Sequence, residues 1–151
     1  MINPMMIVAV DFDGTIVTHE YPKIGKDIPF AIETLKKLQE EYQLRLILWT
    51  VREGQELEDA VNYCLKKGLE FYAINSNYPE ETPENKEPRK LKADLFIDDR
   101  NLGGLPDWGV IYQMISTGKH FDLESFFSPY LTSGNGNAKN KKKWFLKSFF
   151  G

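Results

Sequence analysis

Cysteine is almost missing from this chain: Cys64 is the single thiol in 151 residues. That excludes an internal disulfide framework and a cysteine-based zinc cluster, and it suits a packed helix residue in a reducing compartment. Long apolar runs are also missing. No stretch reaches the roughly 20 apolar residues needed to cross a bilayer. The start, Met1-Ile2-Asn3-Pro4, lacks the basic residues of a secretory leader. Together these absences give a cytoplasmic expectation. Histidine is scarce as well, and His19 and His120, lacking metal-ligand spacing, read as structural or solvent-exposed side chains. There are no internal repeats.

What is present is a globular composition, 42% hydrophobic and 13% aromatic, on a chain long enough for one domain with a real core. The net charge of −3 is unevenly spread. Residues 133–151 hold five lysines (139, 141, 142, 143 and 147) and no acid, which leaves −8 on residues 1–132. A body that acidic is not expected to bind a nucleic-acid duplex. From Thr132 to Asn140 the chain turns to Ser, Gly and Asn, a linker composition. We therefore expect one domain over 1–132 and a flexible basic and aromatic tail over 133–151. The tail's lysines alternate with Trp144, Phe145, Leu146, Phe149 and Phe150. Such a pattern suits an anionic membrane surface, a partner protein's groove, or a tail that folds back on the acidic body.

Strand and helix patterns alternate along the body. Residues 6–11 predict a first strand, and 29–41 predict a helix with Ile32, Leu35 and Leu38 on one face and Pro29 near its first turn. Residues 44–49 predict a second strand, 54–67 a helix closed by Gly68, 69–74 a third strand, 95–97 a fourth and 110–112 a fifth. This order predicts an α/β fold: a mainly parallel five-stranded sheet with helices on both faces and ligands beyond the strands' carboxyl ends. Residues 75–89, polar and rich in Pro and Glu, read as a long loop.

The apolar run Met6 to Val10 ends in Asp11-Phe12-Asp13-Gly14-Thr15. A buried strand explains the run and leaves the acids unexplained, because paired carboxylates repel unless a cation or proton lies between them. Gly14 allows a sharp turn and close approach of a ligand. Thr50 and Asp98-Asp99 fall at the ends of other predicted strands. These residues mark one edge of the sheet as a site for a hard cation and a phosphate.

Asp-x-Asp-Gly-Thr after strand one, Thr50 after strand two, a lysine, then Asp98-Asp99 after strand four resemble the haloacid dehalogenase (HAD) superfamily over residues 5–105. The segment 93–100 is also similar to the 5′(3′)-deoxyribonucleotidases. The resemblance implies a three-layer Rossmann-like fold and a phosphatase that works through an aspartyl-phosphate. Asp11 would be the nucleophile. Asp13 would protonate the leaving oxygen and later activate water. One Mg2+ would be held by the carboxylates of Asp11 and Asp98 and the backbone carbonyl of Asp13, with Asp99 in support. Thr50, with Phe12 and Gly14, would bind the phosphoryl group.

The resemblance implies a catalytic lysine before Asp98; Lys86, Lys90 and Lys92 all precede it, and the spacing of Lys90 best matches the family. Arg52, two residues past Thr50, is expected to contact a phosphate or a carboxylate. There is no room for a large cap domain, so the site would open to solvent or be shaped by residues 18–28 and 75–89. The implied substrate is a phosphorylated small molecule or a bulkier phosphomonoester, with nucleotides and sugar phosphates in view. Two alternatives stay open: a catalytically idle HAD-like binding protein, and a phosphoacceptor module of the response-regulator type. In the latter the lysine follows the threonine on the last strand, whereas Lys90 precedes Asp98-Asp99 here.

Overall fold

The computed structural model describes residues 5–82 and 90–119. Its elements run β1 (Ile7–Val10), α1 (Ala31–Tyr42), β2 (Arg45–Leu48), α2 (Gly54–Lys66), β3 (Ala73–Ile74), β4 (Leu95–Ile97) and α3 (Trp108–Ser116). The strands form one parallel sheet in the order β3-β2-β1-β4. Val10 stands between Leu48 and Ile97, so β1, β2 and β4 end level with one another.

The side chains divide by strand periodicity. Val8, Val10, Leu46, Leu48, Leu95 and Ile97 join the main core, where they meet Ile32, Leu35 and Leu38 of α1, Ala60 and Cys64 of α2, and Ile111 and Ile115 of α3. Ala9, Ile47 and Ala73 turn the other way and pack with Leu91. Among the described residues, then, the three helices share one face instead of flanking both. Topology gives the reason. The steps β1 to β2 and β2 to β3 move in the same direction across the sheet, so right-handed crossovers place α1 and α2 on the same side. The return to β4 reverses that direction, and Leu91 from this connection packs on the opposite face.

Two expectations need correction. Residues 110–112 are not a fifth strand: they lie within α3, which the Asp107 side chain caps by accepting the Gly109 N–H at 2.8 Å. Trp108, Ile111 and Ile115 are buried at helical spacing. A run of β-branched and aromatic residues, Val110-Ile111-Tyr112, read as strand where the flanking cap specified helix. The third strand is also shorter than expected. Leu69 donates its N–H to Cys64 O at 3.0 Å to close α2, so the first part of that apolar run belongs to the helix terminus. Within 69–74, only Ala73–Ile74 pair as strand.

No helix among the described residues is long and apolar enough to cross a membrane. The expectations for Lys86, His120 and the 133–151 tail lie outside the described residues.

Candidate functional site

Strand β1 carries Asp11 to the carboxyl edge of the sheet, and its neighbour β4 carries Asp98 and Asp99 to the same edge. The Asp11 N–H donates to Ile97 O at 3.0 Å, so the two chains leave the sheet side by side. One carboxylate oxygen from each of Asp11, Asp98 and Asp99 lies within 4.8 Å of the other two. Burial, with the charges of Asp98, Asp99 and Asp13 added, pushes the Asp11 pKa from 3.8 up to about 6, against an opposing pull from the Phe12 backbone N–H.

Thr15 ties this cluster together. It is fully buried; its hydroxyl lies 3.5 Å from Asp11 Oδ2 and accepts the Asp99 N–H at 3.1 Å. Its carbonyl receives the indole N–H of Trp108 at 3.2 Å, which anchors α3 beneath the site. Asp98 Oδ1 accepts the Arg100 N–H at 2.8 Å and so shapes the turn after β4.

Asp99 Oδ2 meets His19 Nε2 at 2.8 Å, while Asp99 Oδ1 is buried and has no hydrogen-bond partner. An orphaned carboxylate oxygen within a trio of acids suits a cation bound through oxygen. The three acids offer carboxylate oxygens at the shared point, a donor set that could hold a hard metal ion. Asp99, expected in a supporting role, lies in this trio beside Asp11 and Asp98.

The Asp13 side chain is engaged elsewhere. Arg52, 0% exposed, donates to both of its oxygens at 2.7 Å, from Nε and from one terminal nitrogen. The same guanidinium donates to the carbonyls of Pro22 at 2.9 Å and Lys23 at 2.8 Å, which commits four of its five N–H groups. It also lies over the rings of Phe12 and Tyr21. The bidentate carboxylate contact expected of Arg52 is therefore made inside the protein, to Asp13.

The other expected residues have these positions. The Phe12 ring is buried in the core, edge-on to Tyr63. Gly14 donates its N–H to Val17 O at 2.6 Å and holds φ at +90°. A Cβ there would stand 2.2 Å from His19 Nε2 and 2.6 Å from Asp99 Oδ2, so the group that closely approaches this glycine is a pair of the protein's own side chains. Thr50 lies just past the end of β2. Its N–H is held by Asn75 Oδ1 at 2.8 Å, and its hydroxyl accepts the Arg52 N–H at 3.3 Å. Lys90 is not drawn into the acid cluster: its ammonium lies 5.7 Å from the Phe96 ring, and no ion pair links it to Asp11, Asp13, Asp98 or Asp99.

Sequence reasoning missed His19, Thr15 as a buttress, and Asn75. A histidine on a loop carries no local signal for a partner 80 positions away. Asn75 was visible only as the polar residue following an apolar run.

No family model matches the chain, and no curated protein does. Among solved structures, the conserved protein coded by a locus from Bacteroides thetaiotaomicron is 63% identical to it, with a TM-score of 0.72; the match covers 76% of this chain and 92% of that one. At that identity and coverage, the chain belongs to the same family as this conserved Bacteroides protein.

Proposed function

We propose that the chain is a Mg2+-dependent phosphomonoester hydrolase of the HAD type that acts through an aspartyl-phosphate on Asp11. One observation carries the reading: the Asp11, Asp98 and Asp99 carboxylates converge at the ends of adjacent parallel strands, with an unpartnered oxygen on Asp99. In this proposal Asp11 attacks phosphorus as the bond to the leaving oxygen breaks, and Asp13, once it has left its bidentate pair with Arg52 and taken up a proton, gives that proton to the leaving oxygen. Water then attacks phosphorus, Asp13 takes its proton, the bond to Asp11 breaks and phosphate departs. Mg2+ held by Asp11, Asp98 and Asp99 would offset the negative charge of these acids and of the phosphoryl group. Thr50 would contact phosphoryl oxygens at the same edge. Nucleotides and sugar phosphates are the substrate classes to screen.

With Mg2+ present, hydrolysis of a generic aryl phosphate is expected, and Asp11→Asn is expected to lower kcat by at least about a thousandfold. Turnover that survives Asp11→Asn would sink the assignment. The positions of Lys90 and Arg52 favour a second reading, a cation-binding relative without turnover. Saturable Mg2+ binding without hydrolysis across the screen would select it.

A further inference from the structure

The hairpin that follows Asp13 is pinned at several points. Thr18 N–H donates to Lys26 O at 2.8 Å, Ile28 N–H donates to Ile16 O at 2.9 Å, and Val17 bridges Asp27. At the turn, Arg52 holds the carbonyls of Pro22 and Lys23. His19 therefore projects from a fixed backbone. Its ring passes so close to Gly14 that a Cβ there would stand 2.2 Å from Nε2, and Nε2 reaches Asp99 Oδ2 at 2.8 Å. Ionised carboxylate oxygens only accept, so Nε2 is the donor. Asp99 is thus held twice, by His19 at the side chain and by Thr15 at the backbone N–H, while Oδ1 stays buried and unpartnered.

We propose that His19 is a positioning residue for the cation: it fixes the Asp99 carboxylate within the acid trio and leaves the second oxygen as a ligand. The inference rests on the reading that Asp11, Asp98 and Asp99 bind a divalent cation. A carboxylate on a turn otherwise rotates among rotamers with both oxygens in water. Fixing it in advance removes that ordering cost from cation binding. His19 is half-exposed, with 49% of its side chain accessible, so its replacement leaves the core untouched.

Mn2+ binding to the full chain, followed by the electron paramagnetic resonance of the free ion, tests this without reference to turnover. One saturable site is expected in the wild type. His19→Ala is expected to weaken it by about 10–100-fold, the usual range for a residue that orients a metal ligand. His19→Gln, which keeps an N–H donor, is expected to recover most of the loss. Asp99→Asn should weaken binding at least as much, and adding His19→Ala to it should change little further. A loss below about tenfold in His19→Ala, or tighter binding, overturns the inference. So does a Gln variant as weak as the Ala variant. A wild type with no saturable site overturns the cation reading itself, and the inference with it.

Discussion

At the scale of single residues, the buried pair of Arg52 and Asp13 dominates. Arg52 is 0% exposed and Asp13 7% exposed, so each charge depends on the other in a region poor in water. Removing one partner should cost more than the pair contributes, because the other is left buried without compensation. Arg52→Met is expected to destabilise the fold by about 3–5 kcal/mol, read from the midpoint of urea unfolding. The double variant Arg52→Met/Asp13→Leu should lose less than Arg52→Met alone. If the two losses simply add, the pair is not the source of the effect. The acids of this site were legible in the sequence, because carboxylates at the end of an apolar strand have no packing role there. Their partners were not. Arg52 lies 39 positions from Asp13 and His19 lies 80 from Asp99, and no local pattern records pairings that depend on how the hairpin folds over the sheet.

At the scale of elements, periodicity and capping residues carried most of the information. The termini of α1 and α2 fall within two residues of those expected, since Ile32, Leu35 and Leu38 repeat at helical spacing and Gly68 closes the second helix. Gly68 sits at φ +75°; its N–H bonds Leu65 O at 2.9 Å, and the Leu69 N–H bonds Cys64 O at 3.0 Å. That doubly bonded terminus needs a left-handed residue. Gly68→Ala should therefore cost about 1 kcal/mol, seen as a fall of a few degrees in Tm. An unchanged Tm would show that the closing turn can adopt another form. Composition misled where capping did not: 110–112 looked like a strand, yet Asp107 ahead of Trp108 had already specified a helix. The placement of all three described helices on one face was not legible from element order alone. It needed the strand order, which is set by packing across the sheet.

At the scale of the whole molecule, parallel topology brings the acids of β1 and β4 to one edge and leaves them charged against one another. Burial and the neighbouring carboxylates push the Asp11 pKa from 3.8 to about 6, so the folded chain binds that proton more tightly than the unfolded chain does. The sign follows directly. This group's contribution to stability is fully present below pH 3.8 and is lost as pH rises through about 6, which leaves the metal-free protein penalised at pH 8. Asp11→Asn removes the charge, so it should raise the metal-free Tm by a few degrees at pH 8 and have little effect at pH 4. A cation bound only by the folded state acts against the same penalty. At about 100 times its Kd it adds roughly 2.7 kcal/mol, a rise on the order of 5–10 °C for a chain of this size. Protons compete for Asp11 below pH 6, so the rise on adding Mg2+ should be large at pH 8, smaller at pH 5, and absent in Asp11→Asn/Asp98→Asn. Thermal unfolding with and without Mg2+ at both pH values is the measurement. Equal shifts at the two pH values, or a shift that survives in the double variant, would place the cation somewhere other than these carboxylates.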